Sequence, residues 1–427
     1  MRHKSMIRIA LGILTTGMVT LIFSSSAGAQ ATFKTLHNFK VGKDGYAPSA
    51  GLIFDQVGNL YGTTEYGGVH NLGTVFQLTP NQNGGWTESV LYSFCSGTHC
   101  ADGKYPLAGL IFDQAGNLYG TTSGGGAHNS SGTVFQLTPN QNGGWTEHVL
   151  HSFCSRTHCT DGRQPTAGLI FDQAGNLYGT TDERGGHNRG TVFQLTPDQK
   201  GAWTEHVLHS FCSRTDCTDG GFPQAGLIFD QAGNVYGTTE LGGAPNNSGT
   251  VFQLTPNQNR GWTERVLYSF CSLPDCTDGL YPEAGLIFDQ AGNLYGTTAG
   301  GGAHNDSGTV FQLTPNHNGG WTERVLHSFC PRTNCTDGAD PKAGLIFDQA
   351  GNLYGTTFVG GAQGWGTVFQ LTPKQNGGWT EQVLHSFVDE PGAFPLSGLI
   401  LDKAGNLYGT TFGDSGTIVG SAFEITP

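Results

Sequence analysis

The sequence predicts an all-β protein: a seven-bladed β-propeller of four-stranded blades, closed by an N-terminal strand that completes the C-terminal blade. Three observations carry this reading. One phrase recurs seven times along the chain, apolar and β-branched runs alternate with glycine-rich turns, and the final copy lacks a strand that the N-terminal segment can supply.

The first 29 residues stand apart from the repeats. Arg2, Lys4 and Arg8 precede an apolar run from Ile9 to Phe23, and small residues follow up to Ala29. That order is a secretory signal peptide with cleavage after Ala29. The run is shorter than the roughly 20 residues needed to span a bilayer. No later segment is apolar enough to cross a membrane, so the mature chain, residues 30–427, is expected to be one free, monomeric domain in the periplasm, at the cell surface or secreted. Loss of the leader's three basic residues deepens the formal charge from −13 to −16. An acidic surface repels phosphate backbones and anionic lipid, which argues against nucleic acid as a partner.

The recurring phrase, Gly-Leu-Ile-Phe-Asp-Gln-x-Gly-Asn-Leu-Tyr-Gly-Thr-Thr, begins at Gly51, Gly109, Gly168, Gly226 (with Val235 in place of the second Leu), Gly285 and Gly344, with a close variant at Gly398. The copies lie 58 or 59 residues apart, except for a last step of 54. In the first copy, Gly51 to Phe54 forms the first strand and Leu60 to Thr64 the second. Between them, Asp and Asn flank a glycine, which is hairpin chemistry. Gly73 to Thr79 is the third strand, and Trp86 to Phe94, after Asn-Gln-Asn-Gly-Gly, the fourth. Leu52 and Phe54 alternate with Ile53, so the sheet needs cover on both faces, as radially stacked blades provide. A solenoid is the rival, but its coils are usually 20 to 30 residues long.

The chain ends close the ring. The last copy offers Gly398 to Leu401, Leu407 to Thr411 and Ala422 to Thr426, and no fourth strand. Phe33 to Phe39 matches the fourth-strand phrase at Val149 to Phe153 and would remove the open edges.

The phrase Gly-Thr-Val-Phe-Gln-Leu-Thr-Pro, as at Gly132 to Pro139, together with Leu-Tyr-Gly-Thr-Thr, resembles the GloVer tandem repeat of bacterial exported proteins with diverse surface anchors. The resemblance covers essentially the whole mature chain. It implies an exported bacterial repeat protein and no particular activity. The anchored members' C-terminal sorting segment has no counterpart at Ile425-Thr426-Pro427.

All ten cysteines fall in five Cys-x-x-x-x-Cys pairs: Cys95 with Cys100, Cys154 with Cys159, Cys212 with Cys217, Cys271 with Cys276 and Cys330 with Cys335. An even count in an exported chain reads as disulfides, here local staples of the interblade loops. Metal binding is the rival reading, prompted by His99 and His158. It is weakened because the equivalent positions hold Asp216, Asp275 and Asn334. Neither a metal nor a cofactor is expected.

Loops between strands one and two, and between three and four, share one face and hardly vary. The loops of the other face vary in length and composition, so a unique site is expected there. Before each first strand a proline is flanked by variable residues. The expected ligand-binding positions at the channel mouth are Tyr105, Gln164, Phe222, Tyr281, Asp340 and Phe394, where aromatics, amides and carboxylates could take a polysaccharide or a protein. The plainer reading is that the Tyr and Phe beside each proline pack the loop against the next blade. His70, His128, His187 and His304, each followed by Asn, are weaker candidates for metal or acid–base work, since copies at Pro245 and Gln363 lack the histidine. The interblade aspartates Asp102, Asp161, Asp219, Asp278 and Asp337, with Asp44 as the N-terminal counterpart, read as Asp-Gly turns rather than calcium ligands. Two functions follow as expectations: a non-catalytic binding or scaffold protein, or an extracellular carbohydrate-active lyase or hydrolase with its site at the channel mouth.

Overall fold

Each repeat folds into one antiparallel sheet whose strands lie in sequence order, as seen in a computed structural model that describes residues 31–258, 261–331, 334–389, 392–413 and 418–427. The expected signal peptide lies outside the described residues. Blade 1 comprises Ile53–Phe54, Leu60–Thr64, Thr74–Pro80 and Trp86–Ser93. The seventh sheet joins Ile400–Leu401, Leu407–Thr411 and Ile418–Thr426 to the N-terminal Thr32–Lys40, which pairs from Thr32 opposite Thr426 to Lys40 opposite Ile418. The closure expected from the chain ends is therefore present. The first strand is two residues rather than four, because only Ile53, opposite Tyr61, and Phe54, opposite Leu60, pair with the second strand.

One hydrogen bond repeats at every junction and completes the circle. Thr63 Oγ1 donates to the Ala108 carbonyl of the next blade at 3.0 Å, and the series ends with Thr410 Oγ1 donating to Ala50 at 2.9 Å. The glycines that open the first strands form a second circle. A Cβ on Gly109 would lie 3.4 Å from the Gly51 carbonyl, and one on Gly51 3.2 Å from that of Gly398. Contacts of this kind from each blade to the next put the first strands innermost.

The core lies between blades. Tyr61 and Val75 of blade 1 meet Leu110, Leu118, Phe135 and Leu137 of blade 2, with Phe94 above them, and six further clusters repeat the arrangement. Leu52 joins the cluster with blade 7 while Ile53 joins the one with blade 2, which is why adjacent residues are both apolar. Tyr61 meets Phe112 edge-on at 5.1 Å. Full burial of a phenylalanine such as Phe76 or Phe135 contributes about 2–3 kcal/mol each. Gly62 sits against this packing, since its Cβ would come within 2.6 Å of the Phe76 ring.

The Asp-Gln-x-Gly-Asn segments are the turns the sequence predicts. Asp55 accepts backbone N–H bonds from Val57 and Asn59, a 2.7 Å bond from the Asn59 amide and one from the Tyr61 hydroxyl. Tyr61 in turn accepts from Gln77 at 2.8 Å. The same chain recurs in blades 2 to 6, and Glu424 stands opposite Tyr408 in the last.

All five cysteine pairs are disulfides: Cys95 to Cys100, Cys154 to Cys159, Cys212 to Cys217, Cys271 to Cys276 and Cys330 to Cys335, each closing the loop after a fourth strand. Two features of these loops go beyond the sequence reading. The expectation of strands and turns alone missed a single turn of 3-10 helix in four of them, Thr98–Cys100, Thr157–Cys159, Thr215–Cys217 and Pro274–Cys276. The bridges are the local staples expected, and the backbone of the second cysteine further ties its loop to the rest of its blade. Cys100, Cys159, Cys217, Cys276 and Cys335 are half-buried, with φ between 47° and 55°. That backbone turns the carbonyl inward, where it accepts two N–H bonds. For Cys100 the donors are Gly103 of the same loop at 3.0 Å and Gly126, beyond the second strand, at 2.9 Å; Gly162 and Gly185 serve Cys159, Gly220 and Gly243 serve Cys217, Gly279 and Gly302 serve Cys276, and Gly338 and Gly361 serve Cys335. Spacing reveals the bridge but not this second anchor, since its donor lies more than 20 residues further along.

The aspartate in each loop likewise does more than make an Asp-Gly turn. Asp161, fully buried, accepts from the Ser155 N–H and hydroxyl, both at 2.8 Å, and faces His151.

Candidate functional site at the variable mouth

The residue before each junction proline has the same backbone in every blade. Ala47, Tyr105, Gln164, Phe222, Tyr281, Asp340 and Phe394 all have φ between 56° and 60°, a region that L side chains rarely adopt. Two bonds hold each one there. Tyr105 donates its N–H to Leu72 of the preceding blade at 2.8 Å and accepts from the Ser123 N–H of its own at 3.0 Å, and the other six repeat the pattern. The following proline presses on a glycine of the preceding blade: a Cβ on Gly73, where φ is +105°, would lie 2.4 Å from Pro106. The scaffold is thus identical in seven copies and only the side chains differ.

All six sequence-predicted positions therefore lie in one ring, with different surroundings. Tyr105 packs edge-on to Tyr66 at 5.6 Å, with Lys104 5.4 Å from its centroid. Phe222 carries Arg189 at 4.7 Å, and Phe394 meets Phe358 at 4.9 Å and Trp365 at 5.0 Å. Each of these three rings packs against a loop of the preceding blade, where the plainer reading expected contact with the next. Tyr281 is 40% exposed. Asp340 lies 3.6 Å from Lys342, and Gln164 is half-buried.

Two neighbouring positions complete the mouth: the residue after the proline and the residue after each Gly-Thr-Thr. From blade 3 to blade 6 they supply Asp182, Gln224, Glu240, Glu283 and Lys342, all half-buried. Gln224 donates to Glu240 at 2.7 Å, and Lys342 lies 3.6 Å from Glu283. Burial, then the Glu240 and Glu183 charges, push the Asp182 carboxyl up to about 6, and its Oδ1 is buried without a hydrogen-bond partner. Burial also raises Glu240, Glu283 and Asp340, against the opposing charge of Lys342. That Lys342 of blade 6 acts on Glu240 of blade 4 places these side chains toward the axis. From blade 6 through blade 2 the same positions hold Phe358, Leu396, Phe412 and Leu107, together with Ser49, Glu65 and Ser123.

Family models of the Gloeobacter/Verrucomicrobia repeat match residues 19–160, 143–335 and 322–427. The chain belongs to this repeat family. No curated protein is similar enough to match it. Among solved structures, an ancestral GH74 enzyme is 11% identical over 86% of this chain with a TM-score of 0.51, and a Mycobacterium tuberculosis puromycin-hydrolyzing peptidase is 11% identical over 90% with a TM-score of 0.52. The chain spans 55% and 51% of their respective lengths. These likenesses are of fold alone.

In this Gloeobacter/Verrucomicrobia repeat chain the loop histidines do not converge. His70, His128, His187 and His304 are exposed on separate blades, and the described residues contain no group of three or more side chains placed to hold a metal. The asparagine after the histidine is the structural member of the pair. Asn129 and Asn305 reach the sulfurs of Cys154 and Cys330, docking the loop on the next disulfide. On the opposite face, grooves of about 510 and 600 Å³ lie beside the blade 1 hairpin, lined by Phe54 to Val57 with Phe112 to Gly116 or Leu401 to Ala404. Their carboxylates, Asp55, Asp113 and Asp402, are engaged by their own turns. The position after Gly-Thr-Thr was legible only as part of a variable loop. Its sharp change from Glu65 and Asp182 to Phe358 after an invariant stretch was the available signal.

Proposed function

We propose that the chain is an exported, non-catalytic binding protein that takes an extracellular polysaccharide at the variable mouth. The observation that carries this reading is the asymmetry on a symmetric scaffold. Backbone positions equivalent in seven blades present different side chains: most of the carboxylates, an amide and an amine are concentrated from blade 3 to blade 6, with Phe222 and Tyr281 among them, and most of the aliphatic and remaining aromatic ones lie from blade 6 through blade 2. Sugar rings offer an apolar face to aromatics and hydroxyls to carboxylates and amides. The leader sequence and five disulfides support export. No helix among the described residues is long and apolar enough to cross a membrane. The test is an array of extracellular polysaccharides probed with the mature chain and with a variant carrying Ala at Tyr105, Phe222, Tyr281 and Phe394. Binding is expected to be lost in the variant; undiminished binding refutes the site.

A carbohydrate-active hydrolase or lyase at the same mouth is the second reading. It is favoured by Asp182, a carboxyl that burial keeps protonated up to about pH 6 beside a second carboxyl, Glu240. On that reading Asp182→Asn abolishes turnover of a bound polysaccharide while leaving its affinity within a few-fold. The absence of any turnover by the unmodified chain would leave the binding reading alone.

A further inference from the structure

Blade 7 is held differently from the other six. The disulfide loops follow blades 1 to 5. The two junctions without cysteine, residues 40–50 and 388–397, flank blade 7, the sheet that both ends of the chain share. Each junction receives one equivalent fourth-strand side chain. At stapled junctions it meets the loop aspartate: Tyr92 to Asp102 at 2.8 Å, His151 to Asp161 at 3.6 Å, His209 to Asp219 at 3.1 Å, Tyr268 to Asp278 at 2.7 Å and His327 to Asp337 at 3.0 Å.

At the other two junctions that side chain is His37 or His385, and neither is bonded to a carboxylate among the described residues. His37 Nε2 is buried without a hydrogen-bond partner, and the ring meets Phe39 edge-on at 4.8 Å. Asp44 and Lys40 act on it with opposite signs, and Glu88 of blade 1 is the carboxyl facing the same junction near Asp44. His385 lies flat on Phe33 at 4.0 Å and edge-on to Phe387 at 4.8 Å. Phe33 occupies the position at which the other blades carry glutamate, as at Glu205 and Glu381. Lys34 beside it turns to Glu424 at 3.9 Å, and in the following loop Asp389 is exposed while Glu390 lies outside the described residues. A charge on either ring therefore has no bonded counter-ion.

We propose that blade 7 is an acid-released latch: in mild acid the N-terminal strand Thr32–Lys40 lets go of Ile418–Thr426 before any stapled blade opens, turning the closed ring into one with a free sheet edge. The direction of linkage agrees. Burial lowers His37 and drives His385, which Phe33 of the strand covers, down to about 4, so the released state binds protons better than the closed one. Closure is at full strength above the unfolded histidine value of 6.5 and weakens as pH falls toward 4.

Hydrogen–deuterium exchange of the mature chain, disulfides intact, tests this at pH 7.5 and 5.0 after correction for intrinsic rates. Exchange in residues 32–40 and 418–426 should rise on the order of tenfold or more at pH 5.0, while Trp203–Ser210, beside the His209–Asp219 pair, stays within about twofold. The His37→Phe and His385→Phe changes together should bring the first response down to the second. An equal acid response of the two strands in the unmodified chain overturns the latch, as does a response that survives in the double variant.

Discussion

At the scale of single residues, the fourth-strand glutamates show how burial sets an ionisation and a loop neighbour moderates it: burial pushes Glu205 up to about 7 even with Arg156 beside it. Glu205 and Glu264 pair with Arg156 at 2.5 Å and Arg214 at 2.6 Å, whereas Glu147 and Glu323 face loops with Gly97 and Leu273 at the arginine's place. Burial first, and then the charges of Asp102 and Asp278, push Glu147 and Glu323 up to about 8. A carboxyl raised in the folded state holds a proton that the unfolded chain releases, so stability falls as pH rises from about 4.5 to 8. Glu147→Gln should therefore stabilise the protein by about 1–2 kcal/mol at pH 8 and hardly at all at pH 4. Urea unfolding at both values measures it. The sequence showed the glutamate only as a repeated letter in a strand. Its environment comes from another blade's loop, and local pattern carries no information on that. The second role of the loop aspartates was hidden for the same reason: Asp219 is a turn residue locally, but the His209 it bonds is ten residues back on a strand.

At the scale of elements, the glycines separate packing from turn chemistry. A Cβ on Gly237 would meet the Phe252 ring at 2.7 Å and Leu227 at 2.8 Å, while one on Gly116 meets nothing within 4 Å and suffers only its φ of +85°. Gly237→Ala is expected to cost about 2–3 kcal/mol by overpacking, and Gly116→Ala about 1 kcal/mol by backbone strain alone. Thermal denaturation of the two variants gives the order, and equal losses would contradict this account of the second strand. The second and fourth strands were legible within a residue because their apolar pattern meets a partner on both faces. The first strand was read too long, since its apolar pattern includes Leu52, which packs against blade 7 without pairing to the second strand.

For the whole molecule, repetition made the ring legible and concealed the mouth. The N-terminal strand could be matched to the missing fourth strand because Leu36 and Phe39 repeat Leu150 and Phe153, and they are buried as those residues' roles require. The ring of Tyr105, Phe222 and their equivalents was also readable, because each precedes a junction proline. The opposing sector of Asp182, Gln224, Glu240 and Lys342 was not, because those residues are up to 160 positions apart and meet only through the circle. The central claim is that this mouth, rather than the repeated hairpin face, carries binding. It is tested most directly by an exchange footprint of the mature chain with its best-binding polysaccharide from the array. The account predicts protection in the junction segments 103–109, 220–226 and 279–285 and none at the hairpins 113–117 or 172–176. Protection confined to the hairpins would contradict it.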